Sequence, residues 1–265
     1  MNRKMNGVLI ATVCLLALTA CRGGPGVTAV SSPAAVQKTV ITPAPAEGNA
    51  SPTAPVPAPV TGEPQKKQDV SVRAIGAHPK GRLIVKPASQ ASVIPLGAPS
   101  CYGQEADLNW SGDYEAVWEA KSGGEPGKIF TFPVDFEIIQ PVDTPVELQK
   151  FTLGETDIFV YVPRYTDCHA LETYLFGVKD GKAFPITYEM EPARVLTNIG
   201  QLPNRRLKSN GEELIVTGGY GAGQDFIDVY HFRYDAKKHS MILRSTDKVK
   251  PSDLQYDEQN GGLYF

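Results

Sequence analysis

Asp157-Ile-Phe-Val-Tyr-Val162, followed across a loop by Thr173-Tyr-Leu-Phe-Gly-Val178 and, past Lys179-Asp-Gly-Lys182, by Ala183 to Tyr188, is the stretch whose reading decides the fold. Each run is short and rich in β-branched and aromatic residues, a composition that fits a pleated strand. Asp180-Gly181 is a dipeptide that supplies the positive φ angles of a tight hairpin. The stretch therefore reads as a three-stranded meander.

Two flanking stretches share its layout. Downstream, Glu213-Leu-Ile-Val-Thr217 leads across Gly218 to Asp225 into the run Phe226 to Tyr234, which turns at Asp235-Ala-Lys-Lys238 into Ser240 to Arg244. In that run Phe226, Asp228, Tyr230, Phe232 and Tyr234 alternate with Ile227, Val229, His231 and Arg233, so one face is largely aromatic. Upstream, Tyr114-Glu-Ala-Val-Trp-Glu119 crosses a Gly-rich loop, Lys121 to Lys128, into the run Ile129 to Ile139, with Phe130, Phe132, Val134, Phe136 and Ile138 on one face. The units start roughly 40 to 55 residues apart, as propeller blades or stacked β units do.

Arg82-Leu-Ile-Val-Lys86 and Ser92-Val-Ile-Pro95 add two short strands, Asn260-Gly261 adds a hairpin turn, and no long stretch carries helical spacing. One meander cannot hide its apolar face alone and must stack on a neighbour. The fold expected for residues 70–265 is all-β, with meander units stacked in a propeller-like or partial-propeller domain.

The rest of the 265 residues carries different signals. A formal net charge of −3 gives no basic footprint, so nothing points to nucleic acid. Residues 21–69 include Pro43-Ala-Pro45 and Pro55-Val-Pro-Ala-Pro59, with almost no large apolar side chains. Such a segment reads as a disordered, extended linker, reaching on the order of 100 Å if stretched and roughly 40 Å as a coil. Residues 1–20 carry Arg3 and Lys4, the apolar run Val8 to Ala20, and small residues at its end, the layout of a secretory signal.

The stretch Leu18-Thr19-Ala20-Cys21 resembles the lipobox of bacterial lipoproteins. That resemblance implies cleavage before Cys21, lipid on its thiol, and a protein held by this anchor at the extracytoplasmic face of the cell membrane. Two acyl chains suffice for durable anchoring, at roughly 0.8 kcal/mol per buried CH₂. An ordinary secreted protein and an uncut apolar anchor are the competing readings. Arg22 stands where an Asp would favour inner-membrane retention in Gram-negative relatives of this type, and it leaves the envelope class open.

Just before the first unit, Asp107, Asn109, Ser111, Asp113 and Glu115 alternate through Asp107-Leu-Asn-Trp-Ser-Gly-Asp-Tyr-Glu115. This resembles the calcium loop of the FG-GAP and VCBS propeller repeats, and the resemblance implies a bound Ca2+ held by those oxygens, with Gly112 permitting the bend. Calcium takes six to eight oxygens, which alternate side chains can supply on a tightly turned loop. The sequence departs from the pattern at Trp110, usually Gly, and a polar turn without metal is the plainer reading.

Once Cys14 leaves with the signal and Cys21 is acylated, Cys101 and Cys168 remain. An even pair in an oxidising compartment favours a disulfide over two free thiols.

Catalytic signals are weak. Asp167-Cys168-His169 gathers a nucleophile and a base, but adjacent residues on an extended chain point apart. Gly219-Tyr-Gly-Ala-Gly223 looks like a phosphate loop, yet a strand pattern follows where a helix is required. His78, His169, His231 and His239 show no metal-ligand spacing. Arg205-Arg206, Lys208 and Lys237-Lys238 read as solvated charge.

The expected function is a non-catalytic binding or structural role at the cell envelope, with an envelope protein or carbohydrate contacted by loop aromatics such as Trp110, Tyr114 and Tyr220. The competing reading is an envelope hydrolase acting on cell-wall or glycan substrates.

Overall fold

The structure is a computed structural model that describes residues 67–254. Residues 1–20, Cys21, the linker up to residue 66 and the Asn260-Gly261 turn lie outside the described residues. Within them the chain is all-β, with one short 3₁₀ turn at Pro251–Asp253. The first half contains β1 (Lys67–Asp69), β2 (Ala74–His78), β3 (Gly81–Pro87), β4 (Ala91–Pro95), β5 (Leu108–Gly112), β6 (Tyr114–Ala120), β7 (Gly127–Thr131), β8 (Phe136–Gln140) and β9 (Val146–Glu147). The second contains β10 (Gln149–Leu153), β11 (Thr156–Tyr161), β12 (Leu171–Lys179), β13 (Lys182–Glu191), β14 (Arg194–Leu196), β15 (Asn198–Gln201), β16 (Lys208–Ser209), β17 (Glu213–Thr217), β18 (Ile227–Asp235) and β19 (Ser240–Val249).

The decisive stretch forms the meander that its sequence implies. β11 pairs antiparallel with β12, placing Phe159 opposite Phe176 and Val160 opposite Leu175. β12 turns into β13 through Asp180 at φ 52 and Gly181 at φ 77, a two-residue hairpin with positive φ at both central positions. The nearly unbroken apolar composition has a packing cause. Phe159, Tyr161, Tyr174, Phe176 and Val178 face one hydrophobic core, while Ile158, Val160 and Leu175 face a second. A strand pair covered on both faces loses the apolar and polar alternation of a half-solvated one.

The second core fills a barrel-like sheet. Its strands run β10-β11-β12-β13-β19-β18-β17-β16, with β13 and β19 parallel. β15 pairs with β12 and meets β17 through the Gln201–Gly218 bridge, supported by the Leu202 N–H to Thr217 O bond of 2.8 Å, so the hydrogen bonding returns on itself. Buried Gln201 anchors this junction, accepting from Thr173 Oγ1 at 3.1 Å and donating to the Arg205 carbonyl. Downstream, the third meander (β17, β18, β19) shares this sheet with the second, rather than standing as a separate blade.

The first unit departs from expectation. The run Ile129 to Ile139 is not one strand: β7 pairs with β6, whereas β8 pairs with β5 in a different sheet. Pro133 and Asp135, the latter at φ 55, break the run, and Val134 is 80% exposed while Phe132, Phe136 and Ile138 are buried. Two sheets result, β1-β4-β5-β8 and β7-β6-β3-β2-β9, and with the outer face of β11 and β12 they enclose the first core. β1 takes Lys67–Asp69, the last residues of the segment read as linker, into pairing with β4.

Trp110 and Tyr114 belong to this core and are not the exposed aromatics expected of them; both are fully buried. The Arg73 guanidinium lies 4.3 Å above the Trp110 ring. Buried Arg73 donates to Asp143 Oδ1 at 3.0 Å and Ser71 Oγ at 2.6 Å, and its carbonyl accepts from Gln140 Nε2 at 3.1 Å. These partners offset the large cost of desolvating an isolated charge.

His78 on β2 meets Asp157 on β11 at 3.3 Å, with Trp118 and Phe159 edge-on to its ring. Burial pushes the His78 pKa down, more than Asp157 pulls it up. Burial works against charged Asp157 as well, but hydrogen bonds from Thr152 and Lys150 hold its carboxyl below the usual range. Both folded-state pKa values are depressed, so both groups release protons on folding. The His78 contribution is complete above about pH 6.5 and is lost as pH falls below it, and the Asp157 contribution is lost below about pH 4. Urea midpoints should therefore decline from pH 7 to pH 5, and His78→Asn should flatten that decline; an unchanged slope would contradict this account.

Both tryptophans, Trp110 and Trp118, lie in the first core, whereas Leu175 points into the second. Leu175→Ala should cost about 2–5 kcal/mol and Phe176→Ala about 3–5 kcal/mol. Because one hairpin serves both cores, tryptophan fluorescence should report a lower urea midpoint for Leu175→Ala as well as for Phe176→Ala.

Candidate binding surface at the loop end

Three connections meet at one end of the strands: 96–107 between β4 and β5, 162–170 between β11 and β12, and 218–226 between β17 and β18. The first two are joined by a disulfide, Cys101–Cys168, with Cα atoms 5.0 Å apart. They are also joined through Asp107, whose Oδ2 accepts from the Tyr165 hydroxyl and from the Gln104 N–H at 2.7 Å. Burial, reinforced by that carboxylate, pushes the Tyr165 pKa up to about 12. The Arg164 guanidinium lies 4.5 Å above the half-exposed Tyr102 ring and 3.4 Å from Asp167.

The third connection docks on the second. Asp167 Oδ1 accepts from the N–H groups of His169 at 2.8 Å and Ala170 at 3.2 Å, and the His169 carbonyl accepts from Tyr220 N–H at 2.9 Å. Ala170 is wedged between two glycines: a Cβ placed on Gly219 would stand 2.5 Å from the Ala170 Cβ, and one on Gly200 would stand 3.1 Å away. The glycines of the Gly219 to Gly223 stretch thus begin with a close-packing requirement, and the stretch leads into a strand.

Beside this wedge lies an open groove of about 360 Å3, bordered by Met190, Arg194, Leu196, Asn198, Gly219 and Tyr230. Burial, together with Asp228, pushes the Tyr230 pKa up. The groove combines a guanidinium, an amide, a phenol ring and two aliphatic side chains, a mixture suited to holding a ligand. Cys168 is tied up in the disulfide, so its neighbourhood with His169 offers no thiol nucleophile.

The alternating oxygens expected to hold calcium sit on strands, not on a turned loop. Asn109 and Ser111 belong to β5 and Glu115 to β6, with Asp107 and Asp113 flanking β5. At about 3.4 Å of rise per residue, Asn109 and Ser111 stand about 7 Å apart along β5. Several are engaged elsewhere: Asp107 as above, Ser111 with Ser92 at 2.9 Å and Glu115 with Lys86 at 3.7 Å, whereas Asn109 donates its amide N–H to Glu137 at 3.2 Å and keeps its Oδ1 without a partner. Among the described residues no group of three or more His, Cys, Asp and Glu is placed to hold a metal ion. Cys21 lies outside the described residues.

In comparison with known proteins, no family model, curated protein or solved structure matches this chain. The Arg164–Tyr102 stack and the Ala170 wedge had no signal in the sequence beyond the paired glycines, because each joins residues from separate connections.

Closing a loop with a sequence separation of 67, the Cys101–Cys168 bond should contribute about 4 kcal/mol in the chain-entropy account. Reduced protein, or the Cys101→Ser/Cys168→Ser pair, should unfold at a correspondingly lower urea concentration. Gly219→Ala should cost about 1–3 kcal/mol through overpacking, and adding Ala170→Gly should recover part of that loss. A strictly additive double variant would refute the wedge.

Proposed function

We propose that this chain is a lipid-anchored protein of the extracytoplasmic membrane face that binds a partner at the cell envelope without transforming it. The lipobox-like Leu18-Thr-Ala-Cys21 and the proline-rich segment after it support the anchor and its spacer. One observation carries the reading of the head: the Cys101–Cys168 disulfide clasps two of the three connections at the loop end. A bond of this kind persists in oxidising, extracytoplasmic surroundings. It also restrains the connections that carry Tyr102 and Arg164, and a preorganised surface lowers the entropic cost of binding. Aromatic and guanidinium groups of this sort suit a protein or carbohydrate partner.

Growth with a labelled fatty acid tests the anchor. The wild-type protein should take up label and sediment with membranes, whereas Cys21→Ser should stay unlabelled and appear in the soluble fraction. Labelling that persists in Cys21→Ser would overturn the assignment.

A further inference from the structure

The opposite end of β18 carries a second surface of different chemistry. There, where β18 turns into β19, a groove of about 430 Å3 is bordered by Arg233, Tyr234, Asp235, Lys237, Ile242 and Arg244. We propose that Arg233, Lys237 and Arg244 form a site for a phosphate group carried on a larger anionic molecule.

Charge placement makes the argument. Asp235 is the single acid bordering the groove, and its Oδ1 accepts from the N–H groups of Lys237 at 2.9 Å and Lys238 at 3.1 Å, which shape the turn. Three other acids nearby have partners of their own. Glu213, opposite Arg233 on β17, lies 4.0 Å from His231 and accepts from Asn210; Glu189 takes Lys238 at 3.0 Å; and Glu155 takes Lys179 at 2.8 Å. Glu212 shares with Arg233 a neighbouring cavity. Three cations thus border one concavity whose lining holds a single carboxylate.

The backbone contributes as well. The β18–β19 ladder shifts register between His231 and Phe232, leaving Arg244 as the extra residue on β19 between the His231–Ser245 and Phe232–Leu243 pairs. A bulge of this kind re-aims a side chain that regular pairing would commit to the sheet. Two planar guanidiniums and a mobile ammonium match the several oxygens of a phosphate better than those of one carboxylate. Tyr234 and Ile242 supply apolar surface for whatever bears it.

Lipid headgroups and soluble phosphate polymers share this chemistry, and the test separates them. The full chain bearing Cys21→Ser, so that no attached lipid carries it to a bilayer, is titrated with polyphosphate. It is also sedimented with phosphatidylcholine vesicles with and without phosphatidylglycerol. Saturable binding that weakens with salt is expected, falling about tenfold or more in Arg233→Gln/Arg244→Gln and to a lesser degree in Lys237→Gln. Lys248→Gln, which removes a like charge on β19 outside the groove, should leave it unchanged. Binding to polyphosphate alone assigns a soluble polymer, and binding to phosphatidylglycerol vesicles alone assigns a headgroup. The proposal is overturned if neither probe binds, if Lys248→Gln weakens binding as much as the groove variants, or if polyglutamate competes as well as polyphosphate. Lys237→Gln sits on an exposed turn and tests the site even if the double variant fails to fold.

Discussion

The β11–β12 hairpin separates two hydrophobic cores and belongs to both, and the rest of the domain is arranged by that constraint. Phe159 and Phe176 pack with Trp118 and Phe132 on one side, while Val160 and Leu175 pack with Leu214, Phe232 and Met241 on the other. A pair of strands with no solvent face must be covered twice, so sheets assemble on either side. On one side the chain builds two smaller sheets, and on the other it curls the long sheet back through β15 onto β12. Since neither core is complete without the hairpin, the halves cannot gain their burial energy independently.

The ends of the strands that radiate from this hairpin are used differently. At one end the connections are tied by a disulfide, a carboxylate shared between Tyr165 and Gln104, and an alanine methyl between glycines. Conformational freedom is removed there by the fold itself. At the other end the β18–β19 turn gathers three cations around a single bordering acid. One surface is suited to shape and aromatic contact, the other to negative charge, and the length of β18 keeps them apart.

How much was legible follows from how local each signal was. The second and third meanders could be read because strand composition, the Asp180-Gly181 turn and the apolar runs act over a few residues. The first unit was misread because its alternation passes through Pro133 to Asp135 without interruption in polarity, although the backbone turns there into another sheet. Trp110 and Tyr114 looked like loop aromatics because the strands β5 and β6 are short and flanked by polar residues; the packing of Arg73 on Trp110 is invisible in one dimension. The oxygen ladder from Asp107 to Glu115 has the same ambiguity, since period-two polarity describes a coordinating loop and the outer face of a strand equally well.

The amino-acid sequence alone determined that this head is built of strands, where two of its three meanders turn, and that Cys101 and Cys168 were candidates to pair, because each depends on residue type and short-range geometry. Tertiary structure decided which meanders share a sheet, which aromatics are inside, and which charges line one groove. Those outcomes depend on contacts between residues tens of positions apart, such as Gln201 with Thr173 or Arg73 with Asp143, and their energies arise only when the chain closes on itself.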